Sequence, residues 1–153
     1  MVNVEKQAPL GFEDCRVGAE YGAPAREVTQ EEIQRFAELT GDFNPVHVSP
    51  EFARKTPFRG CIAHGMLVQS LAAGMMWQSG LFEGTVVAVQ GVHGRFVAPV
   101  RPGDRIQATI TVSALDPEPG PRRGWVEWHT IVRNQRDEEC YDSTWRLLMH
   151  RRK

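Results

Sequence analysis

The sequence predicts an α+β fold in which a curved antiparallel β-sheet wraps one long central helix, and three observations carry that prediction. Over residues 63–79, Met66, Leu67, Val68, Leu71, Ala72, Ala73, Met75, Met76 and Trp77 leave almost no polar face. A helix of this kind must be covered on most sides. Beyond Gly80 the apolar period drops to two: Ile106, Ala108, Ile110, Val112 and Ala114 alternate with polar residues, as do Val126, Trp128, Thr130 and Val132, and then Tyr141, Ser143, Trp145, Leu147 and Met149. Turn-forming strings separate these runs, namely Arg101-Pro102-Gly103-Asp104, then Asp116-Pro117-Glu118-Pro119-Gly120-Pro121, then residues 134–138. Short connections between half-apolar strands specify an antiparallel meander, and meander and helix bury each other's apolar surface if the sheet curls around the helix.

In chain order, the first helix follows Thr29, which forms a capping box with Glu32; Ile33, Phe36 and Ala37 share one face before Gly41 ends the helix. Ser49-Pro50-Glu51 starts a second, short helix with Pro50 at its first position and Phe52 and Ala53 turned inward. Between the two lies G-D-F-N-P-V-H, Gly41 to His47. Asn44-Pro45 keeps this stretch out of regular helix, because the proline ring pushes the residue before it to extended angles. The long helix comes next, with Gly80 as its terminator. A strand over 85–97 contains Gly91 and Gly94, which predicts a bulge or the close approach of another backbone.

Composition narrows the function. A chain of 153 residues, 41% hydrophobic and 24% charged, fits one soluble globular domain. Its net charge of −1 gives no field that would draw nucleic acid or an acidic membrane surface. Residues 1–10 carry Glu5 and Lys6 and lack a continuous apolar core, so no secretory signal is expected, and the apolar stretch 66–77 is too short and interrupted to span a bilayer. Cys15, Cys61 and Cys140 are odd in number and scattered, which fits thiols buried as small core residues in a reducing cytoplasm. Neither a His-x-x-x-His nor a cysteine pair occurs, so no metal site is expected. Met66, Met75, Met76 and Trp77 are assigned to the core in preference to a pocket lining, to which some of them could still contribute. Arg54, Lys55, Arg59, Arg95 and Arg101 read as a solvated face from which one or two could reach phosphates, and His93 and His129 receive no role.

Asp42 and His47 stand out chemically. A carboxylate and an imidazole aimed at a single water are the minimum apparatus for adding water to an activated double bond, or removing it. Asp42 alone also reads as the first residue of an Asx-turn, and His47 alone as an ordinary loop histidine. G-D-F-N-P-V-H is followed, however, by C-I-A-H-G-M-L opening the long helix and by V-R-P-G-D ahead of a strand. In that order the motifs resemble the MaoC-like branch of the hot-dog fold, which includes the R-specific enoyl-CoA hydratases, over residues 12–150.

The resemblance implies one hot-dog domain over residues 1–153, with roughly the first ten residues open to disorder. It implies a homodimer or dimer of dimers that joins sheets edge to edge, with active sites at the interface. It further implies an acyl-CoA or acyl-carrier-protein thioester as substrate, no cofactor, and reversible syn addition of water to a trans-2-enoyl-CoA to give an (R)-3-hydroxyacyl-CoA. Asp42 and His47 would be the acid/base pair, the Gly65 N–H the oxyanion donor, and Asn44 and His64 substrate-binding neighbours, with His64 packing or hydrogen-bonding at the helix entrance. The Gly65 assignment has independent support: in the first turn of the long helix, unpaired N–H groups and the positive dipole end favour a developing enolate. One departure is Ala73, where many such hydratases place a serine behind the aspartate; Ser70 is the nearest hydroxyl. Two alternatives share the fold. One is a thioesterase, against which counts the lack of any acidic residue from Gly65 to Gly80; the other is a non-catalytic acyl-thioester-binding subunit.

Overall fold

The computed structural model describes residues 4–151. A short 3-10 turn, Phe12–Asp14, precedes β1 (Glu20–Gly22), β2 (Arg26–Glu27), α1 (Gln30–Thr40), α2 (Pro45–Val48), α3 (Pro50–Arg54) and α4 (Gly65–Gln78). Then come β3 (Val86–Phe96), β4 (Arg105–Gly120), β5 (Arg123–Asn134) and β6 (Glu139–His150). All ladders are antiparallel, in the order β1-β4-β5-β6-β3, with β2 also paired to β4. The period of two puts Ile106, Ala108, Ile110 and Val112 of β4 and Val126, Trp128 and Val132 of β5 on the buried face. They share one core with Leu67, Val68, Ala72, Met75 and Met76 of α4. The long helix is thus the filling of a curved antiparallel sheet, the hot-dog arrangement.

The local signals upstream act as expected. Thr29 accepts from the Glu32 N–H while the Glu32 carboxylate accepts from the Thr29 N–H, and Gly41, at φ 80°, ends α1 with its N–H on the Ala37 carbonyl. Gly80 turns the chain after α4 at φ 90°. Beside that turn, the N–H groups of Gln7 and Leu10 donate to the carbonyls of Ser79 and Leu81; the part of the expected disorder that falls on residues 1–3 lies outside the described residues. The three thiols are buried and unpaired, and burial pushes Cys15 up to about 12. Among the described residues no helix is long and apolar enough to cross a membrane.

Several expectations are corrected. Asn44-Pro45 does not exclude helix: Asn44 takes the extended ψ of 123° that a following proline requires, and Pro45 then opens the four-residue α2 at its first position, where a missing N–H costs nothing. Phe52 faces outward at 47% exposure, while Ala53 is the buried residue of α3. The string from Asp116 to Gly120 is not a turn but the irregular end of β4, paired to β5 with a register shift between Asp116 and Pro119. A bulge does occur between Val89 and Gly91. At Gly94 the close neighbour is a side chain rather than backbone, since a Cβ there would overlap the Tyr141 ring. Finally, Met66 and Trp77 are not core: they are 55% and 57% exposed, on a face of α4 that the chain's own sheet leaves uncovered.

Candidate active site

Three elements build the site. Gly41 stops α1 and sends the chain into the loop carrying Asp42, whose Oδ1 accepts the Asn44 N–H at 3.2 Å. This is the Asx-turn geometry, and it engages one carboxylate oxygen. Asn44 caps α2, its Oδ1 accepting the Val46 N–H at 3.2 Å, so that its amide oxygen is engaged within the loop. His47 sits half-buried in α2, which is tied to α1 by the Gln30 amide donating to the His47 carbonyl at 3.1 Å.

The His47 ring is oriented through its Nδ1, which lies 2.8 Å from the Ile62 carbonyl. A carbonyl can only accept, so Nδ1 carries the proton and the neutral ring keeps a lone pair on Nε2. Burial holds His47 below its ordinary 6.5; the Ile62 hydrogen bond and the Asp42 charge oppose that shift, and the neighbouring His64 adds to it. His64, the residue before α4, is 2% exposed. Its Nε2 lies 2.9 Å from the Asp42 carbonyl, and its ring centroid is 3.9 Å from that of His47 at an interplanar angle of 30°.

Asp42, His47 and His64 each present one ligand-capable atom, and these atoms lie within 4.8 Å of one another. They are also the described residues that could hold a metal ion, a cluster that spacing rules miss because its donors come from separate elements. Gly65 opens α4, and the His64 side chain makes no cap hydrogen bond there, so the helix N-terminus has no side-chain cap. A Cβ on Gly65 would lie 2.9 Å from the Phe96 ring, so close packing favours glycine here. His47, Phe58, Gly65, Val68, Phe96 and Cys140 are among the residues that line a cavity of about 270 Å³.

Ala73 does not face this cavity. It lines a second, apolar one of about 220 Å³ with Met76, Trp77, Val89 and Trp145. Ser70 offers no replacement for the expected serine, because its hydroxyl donates to the Met66 carbonyl at 2.8 Å. Ile62 and Gln30, which orient His47 and its helix, escaped sequence reasoning: the first acts through a backbone carbonyl and the second through an ordinary helix-surface amide. Phe96 carried a signal in retrospect, an aromatic residue at the end of a strand rich in glycine.

A family model described as the MaoC like domain matches residues 13–120. A 3-hydroxybutyryl-CoA dehydratase of Methylorubrum extorquens is 38% identical over 109 residues, covering 71% of this chain and 68% of that protein. An (R)-specific enoyl-CoA hydratase of Rhodospirillum rubrum is 36% identical over 107 residues, 70% of this chain and 72% of that one. Among solved structures, the MaoC-like dehydratase from Rhodospirillum rubrum aligns with a TM-score of 0.84 at 30% identity, over 94% of this chain and 99% of that one. With the sheet, the central helix and the ordered motifs in agreement with these matches, the chain belongs to the MaoC-like domain family and is a hydro-lyase of the hot-dog fold.

Proposed function

We propose that the protein catalyses the reversible syn addition of water to a trans-2-enoyl-CoA, giving an (R)-3-hydroxyacyl-CoA. The observation that carries this reading is the convergence of Asp42 and His47, with His64, at the uncapped start of α4. The thioester carbonyl accepts from the Gly65 N–H, where helix dipole and free donor stabilise the enolate as it forms. Water sits between Asp42 and His47. Because Nδ1 of His47 is committed to Ile62, Nε2 takes a proton from the water as its oxygen bonds to C3. The imidazolium, on the same face, then returns that proton to C2, which makes the addition syn, while the Asp42 carboxylate accepts a hydrogen bond from the water's other O–H, which stays on the oxygen as the product hydroxyl, and holds the water in line. The reverse sequence is dehydration. This scheme uses no cofactor.

The CoA carrier is supported by the names of the two relatives above, and the R configuration by that of the Rhodospirillum rubrum hydratase. A homodimer is supported by β3, whose outer side pairs with no described strand and whose neighbourhood exposes Val89, Phe96 and Val97. The buried free thiols support a reducing, cytoplasmic setting.

The test is hydration of crotonyl-CoA by the purified protein, read as loss of enoyl-thioester absorbance. Asp42→Asn and His47→Gln should each lower turnover at least ~10²-fold with the circular dichroism spectrum unchanged. Near-normal turnover in either variant rules the scheme out, and release of free thiol in its place would make the protein a thioesterase.

A further inference from the structure

We infer that His64 is a positioning residue, which holds Asp42 and His47 in register without touching the substrate; the inference rests on the hydration reading above. Asp42 is an exposed residue on an exposed loop, and its other hydrogen bonds reach only two residues along the chain, to Thr40 at 3.3 Å and from Asn44 at 3.2 Å. Its hydrogen bond to His64 spans 22 residues and ties the loop to the N-cap of α4. Since the Asp42 carbonyl can only accept, His64 is held as the Nε2–H tautomer.

The same ring fixes His47. It packs against the His47 imidazole in a tilted arrangement, with ring centroids 3.9 Å apart, while Phe36 of α1 packs against it at 5.0 Å. His64 therefore links the Asp42 loop, α1, α2 and the start of α4, and these elements together define where the water and the thioester carbonyl meet.

The price of placing an imidazole here is visible: Nδ1 of His64 is buried and has no hydrogen-bond partner among the described residues. An unmet buried acceptor is unfavourable. As filler, an apolar ring of similar size would pack without that penalty. What the imidazole adds is the Nε2–H donor to Asp42. Reacting groups displaced by about 1 Å can lose on the order of 10²-fold in rate, so the loss of this donor should reach the chemistry.

The experiment compares His64→Phe, which keeps a ring and removes the donor, with His64→Gln, whose amide N–H reaches about as far as Nε2. Both are assayed on crotonyl-CoA beside Asp42→Asn, with folding followed by thermal unfolding. His64→Phe should lose roughly 10–10² in kcat with KM within about twofold, and His64→Gln should recover most of that loss. If His64→Phe does not fold, His64→Leu takes its place in the comparison. Wild-type kcat in the donor-free variant overturns the proposal, as does a defect confined to KM, or a folded His64→Gln no more active than His64→Phe. Full activity in Asp42→Asn would sink the hydration reading and the positioning role with it. An inactive Asp42→Asn beside a fully active His64→Phe would sink the positioning role alone.

Discussion

His47 has one nitrogen committed and one available, and that division sets a pH dependence. Its protonation is held below 6.5, chiefly by burial. A lowered value means that the neutral ring, with Nε2 open, persists to more acid pH. We expect kcat/KM for crotonyl-CoA to be flat above neutrality and to fall on the acid side with a midpoint below 6.5. A pH–rate profile with its acid limb centred above 6.5 would contradict the assignment of His47 as base. The same shift gives the sign for stability: the contribution of neutral His47 is complete above 6.5 and is lost as the pH falls through its lowered folded value. That Asp42 and His47 lie close together was legible in the sequence because one short motif carries both. Ile62, 15 residues from its partner, was not legible in its role, since a carbonyl acceptor has no side-chain signature; His64 was expected to pack or hydrogen-bond at the helix entrance, as it does, but its partner 22 residues away becomes visible only in the fold.

Elements were readable where the signal was local. The Thr29–Glu32 box and Gly41 delimited α1, and strict alternation delimited the cores of β4, β5 and β6. β1 and β2 are too short to show a period. The prolines near the end of β4 misled, because that end extends beyond the pairing with β1 and β2 and so runs as an edge on which proline is tolerated. Gly94 offers a test at this scale. Tyr141 is fully buried over it and donates to the Gln69 side chain at 2.8 Å, so the ring has little room to retreat. Gly94→Ala should destabilise by about 1–3 kcal/mol, which corresponds to a fall of roughly 2–4 °C in Tm per kcal/mol for a chain of this size. Thermal unfolding checks it, and an unchanged Tm would mean that the ring moves aside freely.

For the whole molecule, the uncovered surface matters most. The sequence marked Met66 and Trp77 as apolar, but it could not distinguish burial under the chain's own sheet from burial under a second copy. Their exposure, together with Val89 on the free-edge strand β3, forms the apolar surface that the proposed homodimer would cover. Light scattering should give about twice the 17.2 kDa chain mass, and Trp77→Glu with Val89→Glu should shift the protein toward monomer. A monomeric wild type would remove the dimer. Within the single chain, the gap at Gly94 has a longer reach than its own strand. It admits the Tyr141 ring, on which Phe96 stacks at 5.2 Å, and Phe96 in turn lies against Gly65. Two missing methyl groups therefore act as the ends of a gauge: the aromatic pair between them sets the spacing of sheet and helix, so that a strand far along the chain calibrates the position of the amide proposed to receive the negative charge.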